Sequence, residues 1–227
     1  MKRVILGIFA HPDDDAFGAS PTLLKERRNG SDIHLVLCTA GGAGANPDGV
    51  PDLAAIRLEE WRTSSELIGA SATHFLGYRD GELNNQTMIE IATYTEKLVQ
   101  NIVNHQSPDE IELITLDLNG ITGHIDHIAV ARAVCLAYYR LKPSLPQLTR
   151  LRMACAPKSV IPTSNVNWIY CETGRSDQEI DEVVDAREYR EQVMGIIRAH
   201  HSQRHDGERY IAERNNELGI NHFIVMK

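Results

Sequence analysis

Residues 4–15 read VILGIFAHPDDD, an apolar run followed at once by one histidine and three aspartates. An apolar run of this length, rich in β-branched side chains, predicts a buried strand over residues 4–9. That strand delivers His11 and residues 13–15 to its own carboxyl end. Three carboxylates this close repel one another unless water, a cation or shared protons relieve them, and the neighbouring histidine favours a cation. The stretch therefore predicts a metal site.

The residues that follow extend this strand into a βαβ unit. Ser20 and Pro21 open a helix that ends at Asn29-Gly30, and an apolar run over residues 33–39 predicts a second strand. Two such strands are parallel and joined by a right-handed crossover. Further strand and helix patterns alternate along the chain. We therefore predict an α/β protein with a Rossmann-like three-layer fold, a mostly parallel sheet and helices on both faces.

Composition limits the class of protein. The chain has 227 residues, of which 42% are hydrophobic, so it is long enough for one large domain or two small ones, and we predict a single domain over residues 1–227. A formal charge of -8 argues against a nucleic-acid partner. The first apolar run is too short for a signal peptide or a membrane span, so we expect a cytoplasmic protein. Four scattered cysteines are expected to be reduced and mostly buried, namely Cys38, Cys135, Cys155 and Cys171.

A second group of ionisable residues, GHIDH at residues 123–127, follows the predicted strand 111–116. By itself Asp126 is typical of a helix N-cap, and His127 is typical of a packed helix residue. Two histidines and an aspartate within four positions after a strand favour a functional site. Ligands of parallel sheets bind outside the carboxyl ends of the strands, so this group is expected to meet residues 11–15.

These residue types suit metal-dependent hydrolysis. A catalytic zinc site has three protein ligands, drawn from histidine and carboxylate, and an open position for water. His11 and Asp14 form a close pair, and His127 is the best distant third ligand. Asp13 suits a general base. His124, held by Asp126, suits stabilisation of an oxyanion or protonation of a leaving nitrogen.

Other positions have simpler interpretations. Arg57 is predicted to form an ion pair with Glu59 or Glu60 on a solvated helix face, and Asp80-Gly81 is predicted to be a turn. A helix predicted from residue 178 to about 199 carries an apolar stripe that His200 continues, which is typical of a core histidine. The glycine-rich residues 41–49 lack the residues that complete known nucleotide-binding motifs. Three interpretations therefore stay open for them: a phosphate cradle, a lid or a plain connecting loop.

The sequences AHPDD at residues 10–14 and HIDH at residues 124–127 resemble the two signatures of the PIG-L/LmbE-like deacetylases. Members of this family are zinc enzymes that remove the acetyl group from N-acetylglucosamine attached to another moiety. The Arg57-x-x-Glu60 pair, the Asp80-Gly81 turn and the sequence AHHSQ at residues 199–203 are weaker matches. The family usually has Glu at the position of Asp15 and Pro at that of Ile125.

The resemblance implies a role for each matching position. His11, Asp14 and His127 would bind Zn²⁺ or another divalent transition metal such as Fe²⁺. Asp13 would be the general base. His124 would stabilise the oxyanion and donate the proton, with Asp126 orienting it. Arg57 would contact sugar hydroxyls, and Asp80 would border the part of the substrate beyond the sugar. The substrate would be a small amino-sugar conjugate. We expect no nucleic-acid partner and no membrane-spanning segment. A homo-oligomer is compatible with the sequence.

Three functions remain open at this point. The first is removal of an N-acetyl group from an N-acetylglucosamine conjugate by a water that Asp13 activates at zinc. The second is metal-dependent hydrolysis of another amide or ester. The third is a non-catalytic, metal-containing protein that binds amino sugars. A nicotinamide dehydrogenase is disfavoured because the glycine fingerprint is missing after the first strand.

Overall fold

The strands of this computed structural model, which describes residues 1–161 and 174–227, form one mixed sheet. They are β1 (Arg3–Phe9), β2 (Asp32–Thr39), β3 (Ala72–Tyr78), β4 (Glu110–Leu116), β5 (Leu148–Cys155), β6 (Glu182–Asp185) and β7 (Ile220–Met226). Their order is β3-β2-β1-β4-β5-β7-β6. β1 to β5 run parallel, while β7 pairs antiparallel with both β5 and β6.

Helices cover both faces of the sheet. They are α1 (Asp14–Gly18), α2 (Ser20–Arg28), α3 (Leu53–Ile68), α4 (Asn85–Gln106), α5 (Gly120–Gly123), α6 (Ile125–Leu141), α7 (Arg190–Ala199) and α8 (Arg204–Arg214). Short 3-10 turns lie at Lys158–Val160, Arg187–Tyr189, His201–Gln203 and Asn215–Glu217. The predicted fold class, an α/β three-layer fold with a mostly parallel sheet, is confirmed.

Alternation along β1 explains the two cores. Val4, Leu6 and Ile8 pack with α4 and α6, whereas Ile5 and Phe9 pack with α1, α2, α3 and α7. Successive side chains of a strand point to opposite faces, so a strand that is apolar throughout needs cover on both sides. β1 therefore lies in the middle of the sheet, and its carboxyl end is enclosed by other elements.

The order of the strands creates a site between β1 and β4. The chain proceeds from β1 outward through β2 and β3, then returns to place β4 on the other side of β1. At such a reversal the connections leave in opposite directions and open a crevice at the carboxyl ends of the strands. His11 follows β1, and the segment from Gly120 to His127 follows β4, so both predicted signatures border this crevice.

A cluster of buried charges lies away from this crevice, toward the other end of the strands. We call it the Arg–Glu cluster, and its members are Arg3, Glu26, Glu112, Arg150, Arg152 and Glu182. Arg152 Nε lies 2.8 Å from Glu112 Oε1 and 3.0 Å from Glu182 Oε2. Each carboxylate of the cluster therefore has a guanidinium partner, which is the condition under which proteins bury charge.

The predicted helix from residue 178 to 199 is wrong in its first half. Residues Glu182–Asp185 form β6, paired with β7, and a helix begins only at Arg190. Val183 is 58% exposed, since β6 is an edge strand, and the apolar spacing there follows the period of a strand as well as that of a helix. Cys38, Cys135 and Cys155 are free thiols as predicted. Cys171 lies outside the described residues.

Candidate metal and catalytic site

Three connections deliver side chains to the crevice. The turn after β1 supplies His11 and Asp14, and α1 begins directly there. The loop after β3 supplies Asp80. α5 and the first turn of α6 supply His124, Asp126 and His127. Because all these segments follow parallel strands, their side chains meet at one edge of the sheet, as the sequence predicted.

Three of these side chains face one another at ligand distances. His11 Nδ1 lies 2.9 Å from His127 Nε2, and His127 Nε2 lies 3.1 Å from Asp14 Oδ1. Asp14 Oδ2 is 3.7 Å from His11 Nδ1. Atoms that share a tetrahedral zinc at about 2.0–2.2 Å are roughly 3.3 Å apart, so the two ring nitrogens and the Asp14 carboxylate have the spacing of ligands to a common ion. We call these three residues the ligand triad.

Oxygen atoms on the outer sides of the two rings indicate where the ring protons lie. His127 Nδ1 is 3.0 Å from the carbonyl oxygen of Gly120, so this nitrogen carries the proton. His11 Nε2 is 2.9 Å from Asp80 Oδ1 and 3.4 Å from Asp126 Oδ2, which places a proton there as well. In the neutral histidines both lone pairs then point inward, toward each other and toward Asp14. This arrangement fits a cation.

The pKa values express the same excess of negative charge in the absence of a cation. Burial by itself lowers the pKa of His11, but the carboxylates of Asp126, Asp80 and Asp14 outweigh it and raise the pKa to about 10. Burial raises the pKa of Asp14, yet His127 and His11 hold it well below its usual range. In the absence of a cation, His11 therefore keeps a second ring proton among these carboxylates.

Besides the ligand triad, two other sets of side chains among the described residues bring ligand atoms within 4.8 Å of one another. One is His11, His124 and His127, and the other is His11, Asp80 and Asp126. The carboxylates of the second set already accept backbone hydrogen bonds: Asp80 from Ala43, and Asp126 from Gly81 and Leu83. Such carboxylates act behind a histidine ligand and orient it. The inward nitrogens of His11 and His127 face each other and Asp14 instead.

Arg57 does not lie on a solvated helix face, and that prediction is wrong. Its side chain is 6% exposed and donates from Nη2 to Asp13 Oδ1 at 2.9 Å and from Nη1 to Gly41 O at 2.8 Å. The nearby pairs of α3 are different, because Glu59 binds Arg62 and Glu60 accepts from Ser202. The structure thus attaches Arg57 to the predicted general base.

The glycine-rich loop makes room for this guanidinium. Gly41 has a φ of +66°, and a Cβ there would lie 2.5 Å from Arg57 Cζ. A Cβ at Gly44 would approach Arg57 Nη1 equally closely. Gln203 Nε2 donates to Ala45 O on the same loop. The loop therefore holds Arg57 in contact with Asp13. No glycine motif in the sequence predicts this contact.

His124 and Asp126 contact each other through the backbone. The Asp126 N–H donates to His124 Nδ1 at 3.2 Å, so the proton of the neutral ring lies on Nε2. Burial and the neighbouring His11 and His127 lower the pKa of His124, which favours this neutral form. The Asp126 carboxylate instead faces His11 Nε2. His124 can thus present an N–H donor at the edge of the ligand triad.

His200 differs from the satisfied core histidine that its position on the helix predicted. It is 1% exposed, and its two ring nitrogens have no hydrogen-bond partner within residues 1–161 and 174–227. Asp13 and Glu60 are the nearest opposing charges, although burial dominates and lowers the pKa of His200. Sequence reasoning missed this electrostatic interaction of His200 with Asp13. The AHHSQ sequence at residues 199–203 is the signal that points to it.

Comparison with known proteins follows the same residues. The model of the family described as GlcNAc-PI de-N-acetylase, PIG-L, matches residues 6–138, more than half of the chain. A 1D-myo-inositol 2-acetamido-2-deoxy-alpha-D-glucopyranoside deacetylase from Acidothermus cellulolyticus is 25% identical over 273 residues, covering 100% of this chain and 90% of that protein. The uncharacterized deacetylase YaiS of Escherichia coli is 29% identical, over 60% of this chain and 68% of that protein.

Solved structures share the fold. The N,N'-diacetylchitobiose deacetylase from Pyrococcus horikoshii aligns with a TM-score of 0.67 at 20% identity, covering 98% of this chain and 83% of that chain. The 4-carboxy-2-hydroxymuconate hydratase GalB from Pseudomonas putida aligns with a TM-score of 0.68 at 15% identity, covering 100% and 97%. None of the described helices is long and apolar enough to cross a membrane. On the strength of the matched residues, the chain belongs to the GlcNAc-PI de-N-acetylase (PIG-L) family.

Proposed function

We propose that this protein is a metal-dependent hydrolase that removes the N-acetyl group from a small N-acetylglucosamine conjugate. The observation that carries the proposal is the inward pair of histidine lone pairs opposite Asp14, with the Asp13 carboxylate next to it in the chain. A metal and an adjacent base are the two requirements for attack of water on an amide. Membership of a de-N-acetylase family supports the same chemistry.

In this proposal His11 Nδ1, His127 Nε2 and Asp14 hold the metal. Two histidines and one carboxylate are a common ligand set for catalytic zinc, and imidazole also suits iron, so Fe²⁺ is the alternative ion. When bound, the ion supplies a Lewis acid that polarises the acyl oxygen and lowers the pKa of water. Asp80 and Asp126 keep the Nε2 proton of His11 in place, which directs Nδ1 inward.

Asp13 takes the proton from the attacking water. Its side chain is 15% exposed, so it faces the crevice, and Arg57 holds one of its oxygens at 2.9 Å. The other oxygen is left to accept the proton of water. Arg57 is mostly committed to Asp13 and Gly41, so its main contribution is to position the base, and contact with sugar hydroxyls is secondary.

His124 acts on the other side of the reacting carbonyl. Its Nε2–H donates to the oxygen that becomes negatively charged as water adds, and the same proton can pass to the leaving nitrogen. The backbone N–H of Asp126 fixes the ring through Nδ1. Asp80, held by Ala43 and half-buried at the end of β3, borders the space for the part of the substrate beyond the sugar.

The decisive experiment measures acetate release by protein with a determined metal content. Four substrates cover the chemistries of the attached group: N-acetylglucosamine linked to inositol, to malate, to a phosphoinositide and to a second N-acetylglucosamine. Zinc-loaded and iron-loaded samples are compared under exclusion of air. Acetate from one substrate class identifies the reaction. Tight sugar binding without acetate from any substrate, with either metal, would instead establish the non-catalytic alternative.

A further inference from the structure

A cavity of about 240 Å³ opens directly beside the ligand triad. Asp14 and His127 form part of its wall together with the polar Thr122 and Asn221, and apolar side chains are contributed by Phe17, Leu116, Ile121, Ala154 and Ala156. These residues come from α1, the ends of β4 and β5, and the segment between β4 and α6. The cavity is thus a second space at the metal group, distinct from the side occupied by Asp13 and Arg57.

We propose that this cavity binds the acyl group of the substrate, and that the enzyme removes linear N-acyl chains longer than acetyl as well as acetyl itself. The inference rests on the proposed deacetylase function and extends it to the acyl side of the scissile bond. The methyl of an acetyl group is about the size of one water molecule, roughly 30 Å³. A cavity of about 240 Å³ is far larger than that group requires.

The placement of the residues around the triad gives the direction of the substrate. Among the described residues, the cavity wall includes neither His124 nor Asp13. His124 donates to the leaving nitrogen, so the sugar that carries this nitrogen lies on the side of His124 and Asp80. The acyl carbon chain leaves the carbonyl in another direction, and the opening between Asp14 and His127 is the apolar space available to it.

The apolar walls are held in place without a ligand. Tyr210 Oη of α8 donates to Phe17 O at 2.8 Å, and the two rings lie 5.1 Å apart. Asn221 of β7 donates to Gly18 O at 3.0 Å and accepts from Thr22. A Cβ at Gly18 would lie 2.7 Å from Leu116 Cδ2, so glycine allows α1 to approach β4 this closely. A preformed apolar cavity of this kind binds apolar groups without first reorganising.

The outer end of the cavity is polar. Arg209, Glu213 and Arg214 of α8 line it there, and Arg214 lies over the ring of Tyr210 at 5.1 Å from its centroid. Burial of methylene groups is favourable only while they contact the apolar walls. We therefore expect a chain of medium length, with the benefit of further methylenes ending where the chain reaches α8.

The reaction is hydrolysis, and it needs no other reactant. Water forms the new bond to the acyl carbon, and the bond from that carbon to the sugar nitrogen breaks. The proton that Asp13 removes from water balances the proton that the leaving amine receives. The products are a free amino sugar and a linear carboxylate, which occupies the cavity after the bond has broken.

The first test is a series of N-acyl glucosamines with acetyl, butanoyl, hexanoyl and octanoyl groups, on metal-loaded protein. Full burial of one methylene corresponds to a factor of about four, so we expect kcat/KM to rise about twofold to fourfold per methylene until the cavity is filled. A parallel series keeps the acetyl group and lengthens an O-alkyl group at the anomeric carbon.

The two series separate the outcomes. A rise with acyl length supports the proposal. A flat or falling acyl series, with the acetyl substrate still cleaved, overturns it and leaves the proposed function intact. A rise only with O-alkyl length also overturns it, because it assigns the cavity to the group attached to the sugar. No cleavage of any substrate, together with no binding of linear carboxylates by calorimetry, contradicts both proposals.

A variant tests the cavity itself. Ala156→Leu narrows the apolar end, and we expect kcat/KM for the octanoyl substrate to fall at least tenfold relative to that for the acetyl substrate. Ala55→Leu, the same change at an exposed position of α3, is the matched control and should leave this ratio unchanged. Binding of octanoate and acetate, measured by calorimetry on each variant, gives a readout that does not depend on turnover. An unchanged ratio in a folded Ala156→Leu protein contradicts the proposal.

Discussion

Two clusters of buried charge lie at opposite ends of the central strands, and they differ in how their charges are balanced. In the Arg–Glu cluster each of Glu26, Glu112 and Glu182 has an arginine within 3.1 Å. Around the ligand triad, three carboxylates surround two histidines whose inner nitrogens carry no proton in the neutral state. Asp14, Asp80 and Asp126 therefore exceed the positive charge that the protein itself supplies there.

This difference separates structural charge from functional charge. A buried ion pair that is complete within the chain contributes to the fold, and removal of one member leaves an isolated charge at high cost. A buried group of one sign that is incomplete within the chain is stabilised only by a proton or a bound cation. Breaking the first cluster should lower stability, and breaking the second should abolish function.

The largest effect is expected for His11→Ala. Loss of one triad ligand and of the partner of Asp80 should abolish metal retention and reduce acetate release to background. Metal content by atomic emission and acetate by an enzymatic assay measure the two results. His34→Ala, which removes a buried histidine from the neighbouring strand, is the matched control. Full metal content in folded His11→Ala would remove His11 from the triad.

Asp13→Asn should separate metal binding from catalysis. The amide retains the size of the side chain and can still contact Arg57, but it cannot take a proton from water. General-base catalysis contributes about 10²–10⁴-fold, so kcat should fall by that factor while the metal content stays unchanged. Asp48→Asn, at an exposed position of the glycine-rich residues 41–49, should have little effect. Retained turnover in Asp13→Asn would exclude this residue as the base.

Glu112→Gln addresses the Arg–Glu cluster. Its side chain is completely buried and contacts Arg3, Arg150 and Arg152. Burial raises the pKa of this carboxyl to about 7 despite its arginine partners, so glutamine at this position should lower the free energy of unfolding by about 1–3 kcal/mol, measured by urea denaturation, while the folded protein keeps its metal and turnover. Glu110→Gln, on the same strand but partly exposed, should cost far less. If Glu112→Gln lost activity with unchanged stability, the Arg–Glu cluster would be functional rather than structural.

The smallest effect is a difference in the pH dependence of stability after chelation. Without a metal, the pKa of His11 is raised to about 10, above its unfolded value of 6.5. The folded protein then binds more protons than the unfolded chain between these values, so stability falls as pH rises from 6.5 toward 10. The metal-loaded protein should lack this contribution, because the cation replaces the proton.

Thermal unfolding across that pH range, with and without chelator, measures the difference. The metal-free His11→Asn variant should lose the slope, since asparagine does not titrate. A slope that persists in this variant would assign the effect to another group.

The sequence predicts the placement of residues that lie close to the end of a strand, and it does not predict contacts between elements remote in sequence. His11 and Asp14 lie in one turn after a strand and His127 follows another strand end, and the structure brings the three side chains together. The rule that parallel strands share an edge brings these segments together without knowledge of the packing. Their roles as ligands remain a proposal. The fold class followed from the same alternation of strands and helices.

Contacts between elements remote in sequence were not predictable in this way. Arg57 and Asp13 are 44 positions apart, and the sequence near Arg57 offers Glu59 and Glu60 as closer partners. Only the packing of α3 beside the turn after β1 selects Asp13. His200 likewise continues an apolar stripe in the sequence, whereas in the structure it is buried and its ring nitrogens have no hydrogen-bond partner among the described residues.

By itself, then, the sequence determined what local spacing can encode: the strand of residues 4–9, the βαβ unit and the two signatures at strand ends. Tertiary structure decided the rest. Glu182–Asp185 became an edge strand because β7, more than thirty residues later, offers backbone donors and acceptors to it. Arg57 became the support of Asp13 because a buried guanidinium must find carboxylate and carbonyl oxygens wherever packing places them.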